Sequence, residues 1–430
     1  MGPDDGDPKA QHELKLHKKH PLAANISKIG DVFATTRAEI YLDRLDSNVR
    51  NLLDFVGPAV ELMVVVKADG YGHGAVTVGR SARAAGAHHL AVYTVAEGLH
   101  LRKAGIEGSI VVLGQIAASQ AEICVRHDLT PCIATIEVGK ALSCAAQSTS
   151  ATVPFHLELD TGLTRGGILP GEALDLVQAL DALPGLRREG LFTHFASADE
   201  ENKESTWKQF HIFKKVRKLL TDHDLTFRTY HVAASSAALD FPEMHLDMVR
   251  CGISIYGYYP SAHVKRSVDL QPVMALGSHL ARVRTVPKGV GVSYGHDWKA
   301  SHRSVIGLVP FGYADGMPRT VQGKGTVLVR GQRAPIVGRV AMDQFMVDLT
   351  KVKDAQQGDL VTIIGSSGED EITADNIGGW AGTISYDVLS GISTRVPRLY
   401  IRNGEPVSGR LGMTMSVEPI ASSGRVSPPQ

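Results

Sequence analysis

The chain has 430 residues, 45 basic and 45 acidic, so no net field draws it to nucleic acid or an anionic membrane. Its four cysteines (Cys124, Cys132, Cys144, Cys251) show no metal-type pairing and are too few for a disulfide scaffold. With no apolar run of about eighteen residues and no signal-peptide core, it reads as a reduced, cytoplasmic protein of about two or three domains.

Residues 1–33 are polar and without period; His12, His17 and His20 lack the companions of a metal site, and a flexible tail is expected. Ala38–Leu42 alternates like a strand, and Leu45–Phe55 follows as a helix. Apolar strand candidates then recur at Leu62–Val66, Leu90–Tyr93, Ile110–Leu113, Pro131–Ala134, Val153–Leu159, Leu186–Thr193, Phe227–His231 and Leu246–Arg250. Helical stretches such as Ala75–Ala85, Val95–Ala104, Ala117–Arg126 and Glu172–Leu183 separate them. This rhythm predicts an α/β fold, an eight-stranded TIM-type barrel over 34–275, with 34–42 able to pair elsewhere. A doubly wound open sheet is the alternative, but it would want a glycine-rich dinucleotide turn after its first strand.

From about Leu276 short alternating segments rich in Val, Thr and Gly take over: His279–Val286, Ser304–Pro310, Gly325–Val329, Arg333–Val337, Gln344–Asp348 and Leu360–Ile364. They predict a C-terminal β-rich domain over 276–410, with a short helix near Thr373–Trp380 and a flexible tail over 411–430.

The chemistry centres on Val64-Val-Val-Lys67-Ala-Asp-Gly70-Tyr71-Gly72-His73-Gly74. A lysine at the tip of a buried strand is poorly placed as a surface charge, and desolvation there frees its amine as nucleophile or base. Gly70, Gly72 and Gly74 predict a tight loop whose backbone N–H groups can face an anion. Lys67, Arg165, His194, His231 and Arg250 all fall at or just past expected strand ends, where a barrel keeps its chemistry.

The lysine stretch resembles the Lys-Ala-x-x-Tyr-Gly-His-Gly signature of alanine racemases. Further matching segments are Asp160–Arg165-Gly-Gly, Thr193-His194-Phe195, Val249–Ile253 with Tyr256-Gly257, Val292–Gly295, Gly312–Gly316, Val337–Gln344 and Thr383–Tyr386. The resemblance implies pyridoxal phosphate as cofactor, held by Lys67 as a Schiff base, an amino-acid substrate, and D-alanine made for peptidoglycan. It implies no metal, and a homodimer in which one subunit's tyrosine completes the other's site.

By the same resemblance Lys67 and Tyr294 are the two bases, one on each face of the substrate's Cα. Tyr71, Ser235, Gly252, Ile253 and Tyr386 hold the phosphate. Arg250 meets the pyridine nitrogen, with His194 beside it and His231 behind it. Arg165 and the backbone of Met342 take the substrate carboxylate, with Asp343 and Tyr313 supporting. Tyr294 needs nearby positive charge to act as a phenolate, and Arg250 and His194 are the expected sources. Ser235 also reads as a helix N-cap. Glu158 stands where many relatives carry a carbamylated lysine, and is expected to fix Arg165 with its own carboxylate. Ala234 and Ala341 replace the common Asn and Cys, leaving open a broader racemase for serine or basic amino acids. A barrel-type decarboxylase would want a catalytic cysteine in the second domain, yet all four cysteines precede residue 252. A non-catalytic carrier of the cofactor leaves the second domain's tyrosines without a role.

Overall fold

In a computed structural model, residues 36–411 and 415–417 are described. The expected N-terminal tail over 1–33 lies outside them, as does most of 411–430. Two compact units account for the fold: Arg44–Pro272 forms one, and the remaining chain on either side of it the other.

The opening strand β1 (Arg37–Tyr41) belongs to the second unit and leads into a helix over Leu42–Val56. The first unit carries β2 (Glu61–Val65), β3 (His89–Val92), β4 (Ile110–Gln115), β5 (Thr130–Ile133), β6 (Val153–Leu159), β7 (Leu186–Thr193), β8 (Thr229–His231) and β9 (Met248–Cys251). They pair in the order β8-β7-β6-β5-β4-β3-β2-β9, every pair parallel. A parallel bridge between Ala234 and Arg250 brings the two ends of that sheet together, giving an eight-stranded near-closed barrel. Helices over Ala75–Ala84, Val95–Lys103, Ile136–Thr149, Ala173–Asp181 and Glu204–Thr221 connect the strands. Runs such as Leu62-Met-Val-Val65 are buried throughout, as strands covered on both faces must be.

The second unit adds β10 (Met274–His279), β11 (Arg282–Val286), β12 (Gly291–Val292), β13 (Trp298–Lys299), β14 (Ser304–Val309), β15 (Thr326–Val329), β16 (Gln332–Val337), β17 (Phe345–Asp348), β18 (Leu360–Ser367), β19 (Asp370–Ile372), β20 (Arg398–Arg402), β21 (Glu405–Leu411) and β22 (Met415–Val417). Eleven of these with β1 build one mixed sheet, in which β1 lies antiparallel to β10 and parallel to β20. Arg37 and Glu39 are both buried in β1, and Glu39 accepts from Arg37 Nη2 at 2.9 Å and from Tyr41 Oη at 2.7 Å. A buried carboxylate so satisfied holds this strand in one register.

The structure departs from the sequence reading at three places here. His279–Val286, expected as one strand, is the end of β10, a turn and β11. Met415–Val417, in a stretch expected to be flexible, pairs with β21. The short helix runs Ala374–Ala381, where Thr373 caps it and Asn376 completes the capping box.

Candidate active site

The barrel's cluster begins where β2 ends. Lys67 is followed not by a glycine-led loop but by a left-handed turn: Ala68, Asp69, Gly70 and Tyr71 have φ of 50, 54, 64 and 52°. Three of the four are not glycine, and each such residue costs about 1–2 kcal/mol in this conformation. The surroundings offset that cost. Gly70 N–H donates to Val66 O at 2.8 Å, Gly74 N–H to Asp69 O at 2.7 Å, and Ala75 N–H to the Asp69 carboxylate at 3.0 Å. Lys67 Nζ makes no hydrogen bond among the described residues and lies 5.7 Å from the Tyr93 ring centre. Burial, and then the Arg165 charge, lower its pKa, while Glu97 opposes them.

The Arg165 loop folds back on β6. Asp160 Oδ1 accepts from Gly162 N–H and Thr164 N–H, both at 3.0 Å, and Ile168 N–H returns to Glu158 O at 2.9 Å. Gly167 has no room for a side chain, since a Cβ would lie 2.7 Å from Glu158 O. Arg165 is exposed at the loop's tip. No ion pair joins it to Glu158 among the described residues, contrary to the expected direct contact. Burial raises the Glu158 pKa, and the Arg250 charge opposes this more than Arg165 does. We therefore expect Glu158→Gln to be milder than loss of a direct ion pair. Turnover should fall less than about tenfold, short of the roughly 1.5–3 kcal/mol of a charge-assisted bond. Steady-state kinetics with and without bicarbonate checks this, and a hundredfold loss would mean that Glu158 grips Arg165 after all.

Arg250, at the end of β9, is buried and fully engaged on one side. Its Nη1 donates to His231 Nδ1 and His231 O, both at 2.9 Å, and Nη2 donates to Thr193 O at 2.8 Å and Val232 O at 3.3 Å. The guanidinium lies 5.1 Å from the Phe192 ring, which itself stacks on His231 at 4.9 Å. A guanidinium only donates, so His231 Nδ1 is bare and its Nε2–H donates to His156 Nδ1 at 2.9 Å. Nε–H is left as the Arg250 donor with no protein partner among the described residues. Burial lowers the Arg250 pKa to about 10, which still leaves it cationic at neutral pH.

His194 departs from the sequence reading. Its Nδ1 faces Arg250 Nη2 at 3.4 Å, and burial with the Arg250, Arg165 and Lys67 charges pushes its pKa down to about 3. It is neutral at physiological pH and supplies no positive charge.

A second cradle lies beside these groups. Ser235 Oγ accepts from Gly252 N–H at 3.0 Å, and Tyr71 Oη stands so close that a Cβ on Gly252 would sit 2.5 Å from it. Burial raises the Tyr71 pKa to about 12, keeping it a neutral hydroxyl. Tyr256, behind it, stacks on Tyr71 and His73 at 4.8 and 4.5 Å and donates to Val65 O at 3.0 Å. Ser235 is not the N-cap that the sequence suggested: Ala234 takes that position without a side-chain bond, and the serine hydroxyl turns to Gly252.

In the second unit Tyr294 crowns the hairpin of β12 and β13 and is 70% exposed. The stem is anchored by Val292 among Val286, Ala300, Ile306 and Val337, with Trp298 packed against them. Ser293 Oγ donates to Arg339 O at 2.7 Å, and Arg339 grips Asp297 bidentately at 2.6 and 3.1 Å. Tyr313 N–H donates to Ala341 O and Ala314 N–H to Met342 O, both at 3.0 Å. Asp343 accepts from Arg395 Nη2 at 2.8 Å, and Arg395 Nε also reaches Asp315 at 3.3 Å. Tyr386 sits in the helix Ser385–Gly391, half-buried.

The pattern of the alanine racemase N-terminal domain matches residues 40–260, and that of the alanine racemase C-terminal domain matches residues 273–400. The chain belongs to the alanine racemase family. An alanine racemase of Halothermothrix orenii is 41% identical over 365 residues, covering 85% of this chain and 96% of its own. The alanine racemase of Bacillus anthracis, solved with bound L-Ala-P, is similar with a TM-score of 0.83 at 36% identity, covering 88% of this chain and 98% of its own. That of Bartonella henselae, with covalently bound pyridoxal phosphate, gives a TM-score of 0.77 at 26% identity, covering 86% of this chain and 100% of its own.

Alanine racemases depend on pyridoxal phosphate, and this donor set fits it. The Tyr71 and Ser235 hydroxyls suit a dianion, and the missing side chain at Gly252 keeps room for Tyr71 beside them. Arg250 offers one donor to a ring nitrogen. Among the described residues no group of His, Cys, Asp and Glu could hold a metal ion, and no helix is long and apolar enough to cross a membrane.

Sequence reasoning missed four contributors. His156 lies two residues before the already singled-out Glu158 on β6 and so shares its strand face, which was a usable signal. Phe192 and Tyr256 sat inside matched segments without being given a role. Glu97 carried no signal beyond its place three residues after Thr94.

Proposed function

We infer that this alanine racemase interconverts L- and D-alanine with Lys67 and Tyr294 as its two proton-transferring groups. The observation that carries the reading is the Lys67 amine, half-buried at a strand end, without a hydrogen-bond partner among the described residues and with its pKa lowered. Pyridoxal phosphate, when bound, draws electron density from the substrate's Cα and makes its proton removable.

Lys67 Nζ moves that proton on one face of Cα and Tyr294 Oη on the other. One base alone would return the proton mostly to the side it left. Arg165 and the backbone N–H of Met342 orient the substrate carboxylate, with Asp343, Tyr313 and Glu158 supporting them. Tyr71, Ser235, Tyr386 and the N–H groups of Gly252 and Ile253 would hold the phosphate. Arg250 Nε–H would donate to the ring nitrogen without giving up its proton, held in place by the His231 and His156 tautomers. Arg250 would leave that ring a weaker electron sink than a facing carboxylate would, which would disfavour side reactions such as transamination. His194 Nε2–H remains a neutral donor beside Arg250.

Tyr294 and Met342 come from a second copy of the chain, each subunit completing the other's site. The exposed Tyr294, Tyr313, Met342 and Ile384, at 70, 42, 52 and 58%, support a covering partner of this kind. D-alanine made this way serves peptidoglycan.

A chirality assay tests the reading. Purified enzyme should drive L-alanine and D-alanine to the same racemic mixture, faster than serine, lysine or arginine. Racemisation of those others at equal rate would favour a broad-specificity enzyme, which the small Ala234 and Ala341 allow. Decarboxylation, or no turnover at all, would contradict the assignment.

A further inference from the structure

The carboxylate of Glu97 does more than cap its own helix. In an ordinary capping box the third helical residue returns one bond to the N-cap. Thr94 and Glu97 make that exchange, with Glu97 N–H donating to Thr94 Oγ1 at 3.2 Å and Thr94 N–H donating to Glu97 Oε2 at 3.0 Å. Oε2 also takes Tyr93 N–H at 2.8 Å, and Oε1 reaches out of the helix to Ala68 N–H at 2.7 Å. Ala68 is the residue directly after Lys67 and the first of the left-handed turn. One carboxylate therefore spans the ends of two neighbouring strands, β2 and β3, at the point where Lys67 leaves the sheet. Ala68 is exposed, so water could take over its bond. Water could not fix the distance between the two strand ends.

We propose that Glu97 is a positioning residue for Lys67, holding the left-handed turn against the end of β3 so that the amine stays aimed into the barrel mouth. The groups facing Lys67 are then Tyr93 and Glu97 from the β3 side and Arg165 from the β6 loop. Glu97 acts on the lysine through the backbone and through its charge. Its carboxylate is taken up by the N–H groups of Ala68, Tyr93 and Thr94.

The inference rests on Lys67 being the cofactor lysine, so the test includes a readout that does not. In the holoenzyme, Glu97→Gln should speed hydrogen exchange of a peptide spanning Ala68–Tyr71. It should lower kcat about ten- to a hundredfold with KM within about twofold, as expected for a misaimed group. It should also move the pH limb of Lys67 downward, because Glu97 favours the ammonium. Thr94→Ala, which breaks only the cap, should lower the melting temperature while leaving that exchange, kcat and the pH limb unchanged. If Glu97→Gln does not accumulate folded, Glu97→Asp decides. Its shorter arm cannot span both strand ends, so exchange should rise and kcat fall with the charge kept. Glu97 variants that lose only melting temperature, with native exchange and kcat, would reduce the residue to a helix cap and overturn the proposal. Altered exchange with an unmoved pH limb would place the fault in the assignment of Lys67 rather than in the tie.

Discussion

Tyr294→Phe should lose most racemase activity while keeping its fold and its cofactor. The substitution removes one hydroxyl from an exposed hairpin tip, and the buried anchor of that hairpin, Val292 with Trp298, is untouched. General-base contributions run to about 10²–10⁴-fold, so kcat should fall within that range. The loss should be larger for proton removal from L-alanine than from D-alanine, because Lys67 still serves the opposite face. Isotope exchange at Cα, followed separately from each enantiomer, reads the asymmetry. Equal and mild losses in both directions would show that another group is the second base. Mixing Tyr294→Phe with Lys67→Ala should restore activity in hybrid dimers, since one of their two sites then has both native groups. Failure of the mixture, with hybrids demonstrated, would place both groups in the same subunit.

Acid should unfold the barrel unit early. His156 and His194 are held at about 3, and His231 well below its ordinary value, by burial and by the charge of Arg250 among others. In the unfolded chain each would titrate near 6.5. Their folded values are depressed, so the unfolded state binds more protons below about pH 6.5, and stability is lost as pH falls. Each such histidine contributes a slope of up to about 1.4 kcal/mol per pH unit. His156 and His231 share a hydrogen bond and do not titrate independently, so three full slopes, roughly 4 kcal/mol per unit, is an upper bound. Glu158, whose folded value is raised, stabilises at low pH and loses that contribution as pH rises through it, which softens the effect. Against a typical stability of about 5–15 kcal/mol, the denaturant midpoint should drop clearly between pH 7 and pH 5. A flat midpoint over that range would mean that these histidines are hydrated or protonated in the native state.

The barrel strands were legible because parallel strands buried on both faces are short unbroken apolar runs. Ile110-Val-Val-Leu113 and Val153–Leu159 lie within a residue or two of their observed ends. The β10–β11 boundary was not, since His279–Val286 alternates without a break and only pairing partners divide it. At the lysine stretch, glycine spacing suggested where the backbone would be unusual but not which residues would bear it. Ala68, Asp69 and Tyr71 take the left-handed conformation because contacts from Val66 and Ala75 outweigh their own preference, and sequence-local reasoning does not see those contacts. Arg250 was readable as a strand-end arginine. Its neighbour His194 was misjudged in charge, because neutrality follows from burial beside a guanidinium, which is a tertiary fact. Glu158 shows the same limit: the substitution for a lysine was visible, while its greater exposure to Arg250 than to Arg165 was not.

The most direct test of the account is where the cofactor is attached. Native enzyme treated with borohydride should retain the pyridoxyl group through denaturation, and peptide mass spectrometry should place it on Lys67, in the peptide that carries Tyr71 and His73. Lys67→Ala should give no such adduct and no measurable racemisation. An adduct on any other lysine of the native enzyme, or an active Lys67→Ala variant, would contradict the central claim.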